Sequence, residues 1–409
     1  MQERAHRNTL HRGTSTAVIE ALTEIFSEGR YADKVIEKVL KQNPKWGSRD
    51  RRFIAETTYN IVRWYRLLQQ VSQTRQNTSG IDKIDFWKIL AAWLHLQGIE
   101  LPQWAEFASI NFDTWDERLR EARSVRKIRE SVPDWLDEIG EKELGAAWES
   151  ELHALNEEAR VVLRSNTLRI RRKDLAKVLR DEGVETEEVS MAPDAIALRR
   201  RQNVFLLQAF KEGLFELQDA GSQLIAPFLE VEPGMRVIDA CAGAGGKTLH
   251  LAALMQNKGR ILAMDPEAWK LDELKKRARR SGAGNIETRT IDSSKVIKRL
   301  EKSADRLLLD VPCSGLGVLK RNPDAKWKLS PEFVDRIRGI QKDILTGYSK
   351  MVKPGGMMVY STCSLLPSEN EEQVKAFLEK HDDFKLQEER KIAPSEGFDG
   401  FYMARLHRI

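Results

Sequence analysis

Cysteine is scarce in this sequence: Cys241, Cys313 and Cys363 are the only three in 409 residues. An odd count, with no C-x-x-C spacing and no nearby histidine pair, suggests neither a disulfide framework nor a metal site. Long apolar runs are missing too. Stretches such as Ile89 to Leu94 fall far short of the ~18 residues a membrane helix needs. The opening MQERAHRNTLHRGT has no apolar stretch that could act as a signal core, so a cytoplasmic protein with no membrane partner is expected. Aromatics reach only 7%, yet 41% hydrophobic and 32% charged residues exclude a disordered or fibrous chain. Charge of one sign is nearly absent as a bias, with 67 basic against 62 acidic residues. The small excess is localised: residues 1–130 carry 22 basic and 17 acidic residues, and the remainder carries 45 of each.

At ~150 residues per domain the length predicts two or three domains. Residues 1–130 read as helices, with Val18, Leu22, Ile25 and Phe26, and again Ile54, Ile61, Tyr65 and Leu68, at helical spacing. Their basic groups, Arg49/Arg51/Arg52, Arg63/Arg66 and Arg126/Lys127/Arg129, interleave with Trp64 and Tyr65. They read either as solvated helix faces around core aromatics or as an RNA-facing patch. Residues 131–212 predict a small α+β unit, with short apolar stretches at 161–163 and 196–198 around a helix at 174–182. The triplet Arg199, Arg200, Arg201 there fits a phosphate contact or simple solvation. Residues 213–409 alternate strands and helices. Strands are predicted at 236–242, 260–265, 286–292, 306–311 and 357–362, followed by a terminal pair at 384–389 and 401–406. This is the pattern of a doubly wound, Rossmann-like α/β sheet of seven strands.

The segment VIDACAGAGGKT, Val237–Thr248, closes a strand and opens a helix, placing glycines where a ligand can approach backbone N–H groups. A phosphate-binding loop would use Gly246, Lys247 and Thr248, but its first glycine falls at Cys241. A dinucleotide fingerprint from Gly243 and Gly245 would need a third glycine at Thr248. With Asp239 before Gly243 and Gly245, the segment instead resembles the first motif of class I S-adenosylmethionine-dependent methyltransferases. That resemblance implies that Asp265, 20 residues past Gly245, holds the ribose hydroxyls and that Asp292, after the third strand, lies by the adenine.

Cys313 in LLLDVPCSGLG and Cys363 in VYSTCSLLPSENE follow the fourth and fifth strands, whose ends face the same crevice as the glycine loop. Each sits in a polar turn and not in an apolar run. Methylation of a pyrimidine at carbon 5 calls for a thiol, because carbon 5 becomes nucleophilic only after something adds at carbon 6. A free thiol titrates near ~8.5 and needs local activation, for which Lys247 is the candidate charge.

Five segments together, CAGAGGKT at 241–248, DVPCSGLG at 310–317, RNPDAKW at 321–327, YSTCS at 360–364 and DGFYMARL at 399–406, resemble the Sun/Fmu (RsmB-type) RNA cytosine-5 methyltransferases. GLFELQDAGSQL at 213–224 is similar to that family's entry into the catalytic domain, and 49–68 to the NusB-like helical domain of its ribosomal members. The resemblance implies S-adenosyl-L-methionine as cofactor, Cys363 as nucleophile and Cys313 as the residue assisting product release. It places Asp310 at the cytosine ring edge or the methionine end of the cofactor. It also wraps Cys241, Ala242, Gly243, Ala244, Gly245, Gly246 and Lys247 around the methionine portion. The family more often has Ala-Pro where this loop has Gly243-Ala244. RNA over DNA follows from the second cysteine, since the DNA enzymes use the cysteine of the Pro-Cys motif. The implied partner is 16S ribosomal RNA. The alternatives are transfer RNA or another RNA, a catalytically silent ribosome-assembly factor and, more distantly, a phosphate-loop NTPase.

Overall fold

The structure is a computed structural model and describes residues 10–74 and 82–409. The first nine residues of the opening stretch fall outside the described residues. The chain divides into two compact units, one of residues 1–156 with 321–329, the other of residues 157–320 with 330–409.

The first unit is helical. Helices Arg12–Ser27, Ala32–Gln42, Ser48–Arg63, Tyr65–Ser72 and Lys83–Leu96 turn their apolar stripes onto a common core. Val18, Leu22, Ile54, Ile61 and Leu68 are all fully buried there, and the Phe26 and Tyr65 rings stack at 3.8 Å. Trp327 packs against the same core, and its indole N–H donates to the Val62 carbonyl at 2.7 Å. The Lys326 ammonium, buried beside it, donates to the Arg63 carbonyl at 2.8 Å and to Asn156 at 3.2 Å; burial, then Arg63, push its pKa well below the ordinary lysine value. The RNPDAKW segment is thus core material of the helical unit.

Most of the basic groups in this unit have internal tasks. Arg66 binds the Val132 carbonyl and Asp134, Arg126 pairs with Asp137 and Glu141, Arg129 pairs with Glu149, and Lys127 reaches Asp134. Arg51 donates to the carbonyls of Trp46 and Leu40, and Arg63 is buried. Only Arg49 and Arg52 among the groups named above are exposed. Charge count could not reveal this, because the partners lie in other helices.

The second unit opens with a small antiparallel sheet, order β2-β3-β1-β4, of β1 (Val162–Ser165), β2 (Thr186–Glu188), β3 (Ala195–Leu198) and β4 (Phe215–Leu217), beside helix Arg172–Asp181. The large sheet follows: β5 (Arg236–Asp239), β6 (Arg260–Asp265), β7 (Ile286–Thr290), β8 (Ala304–Asp310), β9 (Val352–Thr362), β10 (Phe384–Ile392) and β11 (Phe401–Arg408). Its order is β10-β11-β9-β8-β5-β6-β7, and only β11 runs against the others. Seven strands and a Rossmann-like α/β sheet were expected, and seven form. Leu307, Leu308 and Leu309 of β8 are fully buried, as central parallel strands covered on both faces require. Three strands end short of the predicted boundary, β5 at Asp239 instead of 242, β7 at Thr290 instead of 292 and β8 at Asp310 instead of 311, because the chain there peels into the crevice loops. No helix among the described residues is long and apolar enough to cross a membrane.

Candidate active site

From Asp239 the chain turns through residues 240–245 into helix Gly246–Leu254. Gly243 (φ +53°) and Gly245 (φ +87°) occupy the left-handed region that glycine tolerates. A Cβ on Gly245 would meet Leu274 at 2.5 Å, so the loop lies tight on helix Ala268–Ser281. At Gly243 and Gly246 a Cβ would meet nothing within 4 Å, and bare backbone faces open space. Two guanidinium groups brace this loop: Arg277 donates to the Ala244 carbonyl and Arg164 of β1 to the Gly246 carbonyl, each at 2.7 Å. Buried Glu216 holds Arg277 at 2.9 Å and Arg280 at 2.5 Å. Stiffness that a proline would supply comes here from side chains distant in sequence, which no local pattern could reveal.

Four carboxylates follow the strand ends. Asp239 is buried; its Oδ2 accepts from Thr248 at 2.7 Å, while Oδ1 has no hydrogen-bond partner among the described residues. Burial lifts its pKa to about 7, against the Thr248 hydrogen bond and with help from the Asp310 charge. Asp265 accepts from the Gly243 N–H at 3.0 Å and the Glu267 N–H at 2.9 Å, one on each oxygen, which leaves a further lone pair on each. Asp310 accepts from Lys247 at 2.5 Å and Ser361 at 3.0 Å. Asp292 is exposed, two residues beyond β7, and accepts from Ser293 at 3.0 Å. Since β8, β5, β6 and β7 are successive neighbours, these acids lie in the order Asp310, Asp239, Asp265, Asp292 along one edge of the sheet.

Cys363 immediately follows β9, and Cys313 lies three residues past the end of β8, its parallel neighbour. Their sulfurs are 3.3 Å apart, and the Cys363 N–H also donates to the Cys313 sulfur at 3.3 Å. The Cys313 thiol is pushed well above its ordinary range by its hydrogen bond to Cys363, by burial, and by negative charge on Cys363 and Glu369. The raised pKa favours the protonated form of Cys313. Burial lowers the Lys247 pKa, but Asp310 and, more weakly, Cys363 and Asp239 more than offset this and leave it raised, so Lys247 stays cationic. The Cys241 thiol is pushed up by burial and by the charges of Asp239, Asp310 and Asp265.

Gly317 explains the close seating of the two turns. Its N–H donates to the Cys363 carbonyl at 2.8 Å and its carbonyl accepts from Gly400 at 2.8 Å, while a Cβ there would meet the Gly400 oxygen at 2.3 Å. Three of the segments singled out in the sequence meet at this one glycine. Cys363, Cys313, Asp310 and Lys247 thus form one cluster, Cys241–Gly246 and Asp265 form the adjoining cradle, and Asp292 stands at its margin. Ser361, Glu369, Arg164 and Arg277 were not foreseen; Ser361 and Glu369 lay within segments already picked out.

A sheet of seven strands with one reversed, a glycine loop after its first strand and an acid closing the second, defines a class I methyltransferase. Residues 226–407 match the family described as 16S rRNA methyltransferase RsmB/F, and residues 132–205 match the ferredoxin-like domain of RsmF/B-like methyltransferases. The "Probable ribosomal RNA small subunit methyltransferase B" of Synechocystis sp. is 32% identical over 89% of this chain and 88% of its own length. The ribosomal RNA small subunit methyltransferase B of Proteus mirabilis is 32% identical over 95% and 97%. The crystal structure of a methyltransferase homolog protein from Pyrococcus horikoshii superposes with a TM-score of 0.62 at 28% identity, covering 69% of this chain and 98% of that one. The chain belongs to the ribosomal RNA small subunit methyltransferase B family and is a methyltransferase.

Proposed function

We propose that this enzyme transfers a methyl group from S-adenosyl-L-methionine to carbon 5 of a cytosine in 16S ribosomal RNA, through a transient bond between Cys363 and carbon 6. The observation that carries this reading is the pair of cysteine sulfurs 3.3 Å apart at the ends of neighbouring parallel strands, beside the glycine-loop cradle. Two thiols poised in this way suit a reaction that makes and then breaks a carbon–sulfur bond.

The cradle fits the cofactor: open backbone at Gly243 and Gly246, spare lone pairs on Asp265 for ribose hydroxyls, and the orphaned Oδ1 of Asp239. Asp265 and Asp292 would hold the nucleoside, and the loop from Cys241 to Lys247 the methionine portion. When bound, S-adenosyl-L-methionine supplies an electrophilic methyl group.

The chain's own residues do the rest. Cys363, as thiolate beside the Lys247 ammonium, bonds carbon 6 and drives the ring's electron pair onto carbon 5. Asp310, fixed by Lys247 and Ser361, presents its carboxylate at the ring edge. Once Cys363 is bound to carbon, its contact with the Cys313 thiol is lost, and Cys313 gives up its proton to solvent to become the thiolate base. It then takes the carbon 5 proton, the 5,6 double bond re-forms, and the carbon 6–sulfur bond breaks with its electrons returning to Cys363.

Residues 1–130, in a unit completed by 321–329, serve in this reading as the NusB-like RNA-binding part, 131–212 as a small accessory unit and the remainder of 213–409 as the catalytic domain of a cytoplasmic enzyme. The exposed Arg49 and Arg52, and the exposed triplet Arg199–Arg201, support the RNA contacts. Bisulfite sequencing of total RNA from cells with and without the protein tests the assignment. A single 16S cytosine that loses protection is the expected result, and a protected site lost only from transfer RNA would move the substrate.

A further inference from the structure

Each of the two reactive cysteines is followed by a serine, and both serines end on one carboxylate. Glu369 is fully buried in the turn after β9. Its Oε1 accepts from the Ser314 hydroxyl at 2.5 Å and the Ser364 hydroxyl at 2.6 Å. Its Oε2 accepts from the Ser314 N–H at 2.8 Å and the Gln341 amide at 2.9 Å. Gln341 also donates to the Pro312 carbonyl at 3.1 Å, so the residues on both sides of Cys313 are tied to the same acid. The Glu369 carbonyl in turn accepts from the Tyr360 hydroxyl at 2.6 Å, and the next residue, Asn370, donates to the Ser364 carbonyl at 3.0 Å. A buried carboxylate is costly unless its lone pairs are met, and here four donors meet them. Packing alone does not call for a charge at this point. A neutral residue would fill the space without joining the two turns.

We infer that Glu369 is a positioning residue, which sets Cys313 against Cys363 by holding Ser314 and Ser364 on one carboxylate. The inference rests on the two-thiol reading given above. Its negative charge also bears on Cys313, the thiol that must keep its proton while Cys363 attacks, and it supports a division of labour in which Lys247 favours charge on one sulfur and Glu369 disfavours it on the other. The titratable groups facing Cys313 are Cys363, Glu369 and Tyr360.

Glu369→Gln keeps the shape but offers acceptors on one side only. In the folded full-length enzyme, confirmed by cofactor binding, it should slow turnover at least tenfold while Cys363 still attacks, so that a covalent protein–RNA adduct accumulates on denaturing gels as in Cys313→Ala. Independently of catalysis, the pH midpoint for iodoacetamide labelling of Cys313, read by mass spectrometry, should fall by about one unit as the nearby charge is lost. Wild-type turnover, or an unmoved labelling midpoint, overturns the inference. An adduct missing from Cys313→Ala overturns the two-thiol reading instead, and the labelling midpoint then still decides for or against Glu369. Should Glu369→Gln not fold, Ser314→Ala with Ser364→Ala removes both hydroxyl donors and leaves the charge. Adduct accumulation with an unmoved midpoint is then the expected pattern, and wild-type turnover is the contrary one.

Discussion

The sulfurs of Cys313 and Cys363, fifty residues apart in the chain, lie 3.3 Å from each other because consecutive parallel strands deliver them to one turn-to-turn contact. Neither thiol can be altered without changing the electrostatics of the other, yet their proposed tasks differ in kind.

Cys363→Ala should abolish methyl transfer and form no covalent adduct. Cys313→Ala should form the adduct and release it slowly, giving a band shift under denaturing conditions. An adduct trapped by Cys363→Ala would reverse the two roles.

Asp265→Asn keeps an acceptor but loses the charge and one of the two oxygen partners. Cofactor binding should weaken by about 1.5–3 kcal/mol, the range for hydrogen bonds to charged groups, with RNA affinity unchanged. Calorimetry measures both. Unaltered cofactor affinity in the folded variant would remove Asp265 from the cradle.

Asp239 gives a pH signature. An ordinary aspartate titrates near ~3.9, while burial lifts Asp239 to about 7 in the folded chain. Through that window the folded state holds a proton that the unfolded state has lost, so its contribution to stability falls as pH rises from roughly 4 to 7. Asp239→Asn has no such proton to lose. Denaturant unfolding at pH 5, 6 and 7.5 should show wild type losing ground to the variant as pH rises, and a constant difference would contradict the shifted carboxyl.

Arg49 and Arg52 are exposed, whereas Arg126 is held by Asp137 and Glu141. Each phosphate contact on single-stranded RNA contributes about 0.7 to the salt slope of binding. Arg49→Ala with Arg52→Ala should therefore flatten the slope by about one to two and leave the unfolding midpoint in place. Arg126→Ala should do the opposite, lowering the midpoint and sparing the slope. Identical slopes for all three proteins would mean that this face does not meet RNA.

The large sheet was legible because its signal is local: short apolar runs closed by acids, with glycines at one turn. The predicted crevice aspartates lie at or just beyond strand ends for the same reason, and the cysteine turns could be placed by counting strands. What escaped was whatever depends on partners far along the chain. Arg126 and Arg129 read either as a solvated face or as an RNA-facing patch, and their ion pairs with Asp137, Glu141 and Glu149 were not visible in the sequence. Arg164 and Arg277 reach the glycine loop from 82 and 33 residues away. The RNPDAKW segment showed strong resemblance and no chemistry, because its lysine and tryptophan serve packing.

That segment makes the helical unit a domain in two pieces: residues 321–329 complete a core whose other members all precede residue 157. Such a unit cannot be exchanged between relatives as a cassette. A graft that carries only the N-terminal stretch brings the Arg63 carbonyl and Asn156 to a foreign lysine and the Val62 carbonyl to a foreign tryptophan, so the two stretches must be transplanted as a pair.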